Sequence, residues 1–299
     1  MRSATITSPS AEAATGPEPR VVEAGDAEYP VQLRDLSDPP KRFWALGRPQ
    51  LATAAPIVAI VGTRDSTPYG ERVTRELARA LARGGACVVS GMARGIDATA
   101  HRATLAESGS TVAVLGTGID VPYPVGHRTL HDVIGHRGLV IAELPPGTRA
   151  FRGCFPRRNR IIAALASVTI VVEAGVKSGA LNTAEQAGQL GRTVAAVPGP
   201  IDAPQSEGSN GLIRDGVVVI ASVADALALV GLTPAIRTPR EFCDPDVGAV
   251  WAALGGGPLD SDTLCSISGL PAGRCMAAVT ELELHGAIEC TLTGAIRRR

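Results

Sequence analysis

SVTIVVEAGVKSGALNTAE, residues 167–185, decides the fold. Its first half is a short run rich in β-branched residues, as a buried strand requires. The run ends at Glu173, Ala174 and Gly175, and Ser178 and Gly179 then stand where a helix begins, with Lys177 beside them. A strand end that feeds a helix start brings free backbone N–H groups and the positive end of a helix dipole together, and such a nest favours anions. Outward from this unit the rhythm repeats. PIVAIVG, ACVVSG, STVAVLG, GLVIAE, RTVAAVPG and GVVVIA bring the apolar runs to seven, separated by amphipathic segments. That alternation predicts a parallel α/β sheet flanked by helices. Five runs end at or beside Gly62, Gly91, Gly116, Gly175 and Gly199. Each glycine either lets a ligand approach the backbone or simply makes a short turn from strand to helix.

The 299 residues carry 29 basic and 29 acidic side chains, 45% hydrophobic residues, 34 glycines and only 3% aromatics. Small aliphatic side chains must therefore fill the core, which suits buried parallel strands. Zero net charge argues against a protein that coats nucleic acid everywhere, but it permits one basic groove on a neutral body. The start of the chain lacks the apolar run of a signal peptide, and no stretch reaches the roughly 18 apolar residues of a membrane helix. A cytoplasmic protein without membrane contact is expected. Six scattered cysteines without a C-x-x-C pair predict reduced thiols.

Residues 1 to about 25, rich in Ala, Ser, Pro and Gly, are expected to be disordered, and YPVQLRDLSDPPKRFWALGRP from Tyr29 forms an ordered lead-in. The expected organisation is a tail and lead-in over residues 1–45, a sheet domain over 46–232, a Pro-bearing linker over 233–245 and a small domain over 246–299. The last reads as three short helices and a hairpin. Leu264, Ile267, Leu270, Met276, Val279 and Leu282 supply its apolar face, Gly269 the turn between the second and third helices, and residues 286–297 a wing.

RAFRGCFPRRNR, residues 149–160, holds five arginines, with no acid between Glu143 and Glu173. The block is expected to face solvent, a distant acidic surface or an anionic ligand. Arg64 and Arg94 stand just past the ends of two strands, in VGTR and SGMARGID, which places two guanidiniums on the ligand-binding edge of the sheet.

VGTR, SGMARGIDATAH, VLGTGIDVPYP, FPRRNRIIAALA, VVEAGVKSGALNTAEQAGQLGR and VPGP occur in the order found in the DprA (Smf) family of DNA-processing proteins, a resemblance that covers about residues 29–230. The C-terminal segment is similar to that family's winged-helix domain. The resemblance implies a Rossmann-like fold and a non-enzymatic protein, without a cofactor or metal, that binds and protects incoming single-stranded DNA. It also implies a homodimer that helps load the RecA recombinase during natural transformation. Carried over by position, Arg64 and Arg94 match phosphate-contacting arginines, Lys177, Ser178 and Gly179 match a second phosphate site, and Arg152 occupies a usually basic place. Phe155 opens the FPxRNR motif, where a family aromatic meets a base, and Asn159 and Arg160 complete it. Gly62, Thr63, Ser90, Gly91 and Arg158 complete the expected nucleic-acid-binding set. On its own residues, Phe155 is equally a stacking platform or a core ring near a helix start with Pro156 at the first helical position. Many relatives carry a helical domain ahead of the sheet; here only about 28 residues precede Tyr29, so that domain is expected to be missing or the start late.

Three other signals point elsewhere. His127 and His131 share an i,i+4 spacing, but no glutamate base or nearby thiolate accompanies them, which disfavours zinc. Asp97 and His101 share the same spacing, and capping of the helix that begins there is the better use of Asp97. The rival function is a Rossmann-type nucleoside-monophosphate phosphoribohydrolase; it would need PGGxGTxxE where this chain has EAGVKSGALNTAE, so only Glu185 is shared in spirit. GTRDSTPYG after the first apolar run is not G-x-G-x-x-G, which argues against a dinucleotide module. In the small domain the segment 271–284 carries Arg274 but also Glu281 and Glu283, against a major-groove helix. A protein-contact or accessory role is expected there, with weak DNA contact through Arg297, Arg298 and Arg299.

Overall fold

The computed structural model describes residues 17–54, 56–233, 244–291 and 294–298. The start of the expected disordered tail, residues 1–16, and most of the expected linker, residues 234–243, lie outside the described residues. The chain divides into two compact units, one up to residue 235 and one from 236 onward.

In the first unit the strands are β1 (Arg20–Glu23), β2 (Arg42–Gly47), β3 (Ile57–Val61), β4 (Cys87–Ser90), β5 (Thr111–Gly118), β6 (Leu139–Leu144), β7 (Val168–Val171), β8 (Thr193–Ala196) and β9 (Val218–Val219). Among the described residues they form one sheet in the order β1-β2-β6-β5-β4-β3-β7-β8-β9. The seven apolar runs become β3 to β9, all paired in parallel. Between and after them run α1 (Pro68–Arg83), α2 (Ile96–Ala106), α3 (Arg128–Arg137), α4 (Cys154–Leu165), α5 (Gly179–Gln189), α6 (Glu207–Arg214) and α7 (Val223–Ala228).

Alternate residues of each strand serve opposite layers, as the period-2 pleat dictates. Val58, Ile60 and Val88 pack with Leu77 and Leu81 of α1 and with Ile96 and Ala100 of α2. Ala59, Val61 and Val89 face the other way, onto Ile161, Ile162 and Leu165 of α4 and Ala180 and Ala184 of α5. Both layers are needed because a central parallel strand such as β3, buried at every position, has no face that tolerates water.

Sheet pairing corrects two boundaries. Residues 20–23, placed in the disordered tail, form β1, antiparallel to β2 with Val22 opposite Phe43 and buried. A boundary at residue 46 would cut β2, which pairs with β6 through Trp44 to Gly47. Four residues, RVVE, carry too little local pattern to announce a strand; the partner is about twenty residues away and supplies the ladder. The lead-in is anchored as expected, with Tyr29 buried, its hydroxyl donating to the Pro40 carbonyl at 2.7 Å and its ring 5.9 Å from that of Phe43.

Asp97 and His101 take two separate structural roles, and the expected capping by Asp97 is corrected. Asp97 is the second residue of α2, behind Gly95, and its carboxylate accepts the N–H of Gly91 at 3.2 Å and of Ala93 at 3.4 Å. It braces the loop after β4 instead of capping the helix. His101 is fully buried, with Nδ1 2.7 Å from the Thr111 hydroxyl, which itself donates to the Val88 carbonyl. The ring is therefore the Nδ1–H tautomer, with a bare Nε2. Burial, aided by the positive charge of Arg158, drives its pKa down to about 3.

Between pH 6.5, the ordinary histidine value, and pH 3 the unfolded chain thus binds a proton that the folded chain refuses. Stability contributed by the neutral ring is complete above pH 6.5 and falls with acidification by about 1.4 kcal/mol per pH unit. Urea unfolding at pH 7.5 and pH 5 should show a loss of roughly 2 kcal/mol that is absent from His101→Gln. Equal pH dependence in the two proteins would remove His101 from this role.

The second unit has α8 (Pro245–Ala253), α9 (Ser261–Ser268), α10 (Ala272–Leu284) and an antiparallel hairpin of β10 (Ile288–Cys290) and β11 (Ile296–Arg298). Gly269 ends α9 at φ 69°, a left-handed position that only glycine adopts at little cost. Leu264, Val279 and Leu282 join Val247, Val250 and Ile288 in its core. Ile267 and Met276, expected there, are instead 57% and 42% exposed. Their positions lie on the outer sides of α9 and α10, a difference that one-turn spacings in short helices do not resolve.

Candidate nucleic-acid interface

The parallel order reverses direction at β3, which has β4, β5 and β6 on one side and β7, β8 and β9 on the other. In an open parallel sheet a crevice opens at that switch, outside the carboxyl ends of the strands. A cavity of about 570 Å³ lies there, walled by Val61 to Asp65 after β3 and by Gly175, Lys177, Ser178, Gly179, Asn182 and Thr183 after β7. Phe155, Pro156, Arg158 and Asn159 of α4 close it, with Ala93 from the loop after β4 and Asp97 from the first turn of α2. A second cavity of about 250 Å³ adjoins it, lined by Arg64, Gly91, Ala93, Arg94, Tyr123, Pro124, Phe155 and Arg158.

The larger cavity thus brings together Gly62, Thr63, Arg64, Phe155, Arg158, Asn159, Lys177, Ser178 and Gly179 of the expected set, and the smaller adds Gly91 and Arg94. Ser90, Arg152 and Arg160 line neither. Ser90 is buried and its hydroxyl donates to the Ile60 carbonyl at 2.6 Å, so it ties β4 to β3. Asn182, Thr183 and Tyr123 are lining residues that no motif singled out. Asn182 and Thr183 lie one turn into α5, on the side its N-terminus turns to the crevice, and a one-turn helical offset from Gly179 would have found them.

Ser178 is the N-cap of α5, its hydroxyl accepting the Ala180 N–H at 3.3 Å. An added Cβ on Gly179 would meet nothing within 4 Å, so this helix start is open to a ligand. The glycines after β3 and β4 differ. A Cβ on Gly62 would stand 2.5 Å from Ile96 Cγ1, and one on Gly91 2.4 Å from the Arg158 guanidinium. These two make room for protein atoms, which is the turn-making reading of the strand-end glycines.

The arginine block divides. Glu143, at the end of β6, accepts from Arg157 at 3.0 Å and from Arg160 at 2.6 Å, and Arg160 also donates to the Asp38 carbonyl at 2.6 Å. The acid that bounds the block in sequence therefore neutralises two of its members, and Arg160 ties the lead-in to the sheet. Arg158 is buried, its Nη1 donating to the Gly91 carbonyl at 2.7 Å and to that of Val114. Burial lowers its pKa to about 10, against the pull of nearby Asp97. Burial likewise raises the Asp97 carboxyl above its ordinary range, opposed by Arg158 and by the Ala93 and Gly91 N–H groups. Neither Arg158 nor Arg160 can fork a phosphate without abandoning these partners. Asn159 is also spent internally, its amide donating to the Gly179 carbonyl at 3.2 Å and to Asn182 at 3.3 Å, so that it holds α4 against the start of α5.

Arg64, Arg94, Arg149, Arg152 and Lys177 are exposed and make no ion pair with any described residue. Arg64 lies over the Phe155 ring, 5.2 Å from its centroid, and Tyr123 is 5.1 Å from the same ring. Phe155 is half-buried, the second residue of α4, with Pro156 third. It belongs to the cavity wall and to none of the core clusters, which sets the core reading aside.

The chemistry on offer is recognition of an anion joined to a flat ring. The acids of the larger cavity are Asp65 and Asp97, the latter held by two backbone N–H groups. Glu173 is buried and accepts the Thr67 N–H at 3.0 Å, and Glu185 lies outside the lining. No glutamate is therefore placed in the cavity to act as a hydrolytic base. The histidines are tied to carbonyls, His127 to Met92 at 2.9 Å and His131 to Ile119 at 2.8 Å. Among the described residues no cluster of three or more His, Cys, Asp or Glu is arranged to hold a metal, and no helix is long and apolar enough to cross a membrane.

On the second unit, Arg274 donates both guanidinium arms to Asp246 at 2.6 Å, Arg297 pairs with Glu289, and Arg298 lies 4.2 Å over the Trp251 ring. Arg299 lies outside the described residues. Exposed Glu281, Glu283 and Leu284 leave α10 without the basic face that groove entry needs.

Residues 20–231 match the family model for DNA recombination-mediator protein A, and residues 233–291 match that for the DprA winged helix domain. A DprA relative from Mycobacterium tuberculosis is 40% identical over 291 residues, covering 91% of this chain and 75% of its own. Protein Smf of Escherichia coli is 34% identical over 294 residues, covering 95% and 78%. The X-ray structure of DNA processing protein A from Streptococcus pneumoniae superposes with a TM-score of 0.67 at 39% identity, over 70% of this chain and 73% of that one. A structure of DNA processing protein A from Helicobacter pylori, described for its single-stranded DNA binding mode, gives a TM-score of 0.64 at 31% identity, over 70% and 93%.

Proposed function

The chain belongs to the DNA recombination-mediator protein A family, and we propose that it binds single-stranded DNA in the crevice at the β3/β7 switch and acts by binding, not by catalysis. One observation carries this reading: unpaired Arg64 and Lys177, the open N-terminus of α5 and the half-exposed Phe155 ring converge on one cavity. Cations and N–H groups suit the phosphate of a strand, which gives affinity without sequence preference, while the ring suits an unstacked base. A duplex keeps its bases stacked and offers only the first half of that recognition. The Helicobacter pylori relative supports the choice of strand. The family model's own description, a recombination mediator, supports a role in passing the bound strand to recombination; a homodimer that loads the RecA recombinase during transformation is the finer form of the same proposal and rests on the family resemblance alone. The phosphoribohydrolase reading gains nothing from the cavity, where no glutamate base is placed.

An anisotropy titration with a labelled oligothymidylate against a duplex of equal length, at several salt concentrations, tests the reading. Expected are tighter binding of the single strand and a log–log salt slope of about −0.7 per phosphate contacted. The same preparation, incubated with AMP, should release no adenine. Equal affinity for both DNA forms, or liberated adenine, would overturn the proposal.

A further inference from the structure

The smaller cavity shares Arg64 and Phe155 with the recognition just described, but its other lining residues have no base-binding role in it. Its composition is unusual: two exposed arginines without ion pairs, two aromatic rings and no carboxylate. Its partition from the larger cavity is thin, because Arg64, Ala93, Phe155 and Arg158 line both. Of the shared cations Arg158 is spent on carbonyls, so the charges free to meet a ligand at the boundary are Arg64 and, from the smaller side, Arg94. Tyr123 lines this cavity. It is 41% exposed, its hydroxyl donates to no described residue, and it comes from the turn between β5 and α3, at the same carboxyl edge of the sheet. An exposed aromatic that fills no core has its π-face to offer to a ligand. Phe155 is already contacted by both Arg64 and Tyr123, so Tyr123 adds ring surface that Phe155 alone does not have to spare.

We infer that the smaller cavity is a second base pocket with Tyr123 as its stacking residue. One nucleobase lies in the larger cavity, the next lies against Tyr123, and the phosphate that joins them sits between Arg64 and Arg94. This rests on the single-strand reading above. It makes the recognised unit a splayed dinucleotide step: two neighbouring bases on either side of the Phe155 ring cannot also stack on each other. A volume of about 250 Å³ lies below the usual range for drug-sized ligands and suits one planar base.

The test uses the full chain with 5′-phosphorylated thymidine mononucleotide and dinucleotide, measured by calorimetric titration, on wild type, Tyr123→Ala, Tyr123→Trp and Lys177→Ala. Tyr123→Ala should weaken the dinucleotide about fivefold or more, the loss of one stacked base, and leave the mononucleotide unchanged. Tyr123→Trp should restore dinucleotide binding, since stacking needs only a π-face. Tyr123 is too exposed for its removal to unfold the protein, and a thermal melt of each variant verifies this. If Tyr123→Ala binds the dinucleotide like wild type while Lys177→Ala is weakened, the second pocket is wrong and the single-strand reading stands. If neither variant changes either ligand, the reading itself falls, and the second pocket with it.

Discussion

With Arg64, Arg94 and Lys177 all replaced by alanine, single-stranded DNA binding should fall by about a hundredfold to a thousandfold at low salt, on any sequence. A hydrogen bond to a charged group contributes about 1.5–3 kcal/mol, and each 1.4 kcal/mol is about tenfold in affinity. Three such contacts, discounted for their exposure, give that range. Salt separates this loss from a folding defect. Each lost phosphate contact removes about 0.7 from the log–log slope on a single strand, so the triple variant should be flatter by about 2. The three side chains are exposed and make no ion pair with a described residue, so thermal midpoints should stay together. Wild-type affinity and slope in the folded triple variant would place the strand elsewhere.

These three positions were legible because their signal is local. Arg64 and Arg94 follow apolar runs that can only be central strands, and Lys177 precedes Ser178 and Gly179 at a helix start. Strand periodicity, helix capping and the location of ligand crevices act over a few residues, and all three agree. The arginine block was harder because charge is satisfied in space. Glu143 bounds the block in the chain, yet β6 places it against α4, where it takes Arg157 and Arg160. A count of acids along the sequence cannot see a carboxylate that returns from a neighbouring strand. Arg149 and Arg152 are exposed, whereas Arg157 and Arg160 meet an acid, so the outcomes expected for the block are divided among its members. Tyr123 was given no role for the same reason, since it reaches the cavity beside a ring 32 positions away in sequence and 5.1 Å away in space. Phe155, balanced between core and platform on sequence alone, is taken out of the core by its place on a cavity wall.

Arg158, which the motif alone would send to the DNA, should instead prove to be a residue of stability. Arg158→Ala leaves the Gly91 and Val114 carbonyls without their donor and the buried Asp97 carboxylate without its nearby positive charge. Removing one side of a buried charged arrangement costs about 3–5 kcal/mol, which for a unit of this size lowers the thermal midpoint by about 6–20 °C. Arg158→Lys should rescue little, because a single ammonium lacks the planar fork that reaches two carbonyls. The penalty should also depend on pH. Asp97 already holds its proton more tightly in the folded state than in the unfolded one, so its contribution to stability is present in acid and lost as the pH rises through its folded value. Without Arg158 that value rises further, and the variant should be closest to wild type in mild acid and furthest from it in alkali. At a temperature where it remains folded, Arg158→Ala should keep most of its single-strand affinity, since Arg64, Arg94, Lys177 and the α5 N-terminus are untouched. A variant that melts like wild type yet binds the strand poorly would return Arg158 to the DNA, and would mean that the guanidinium leaves its two carbonyls when a phosphate arrives.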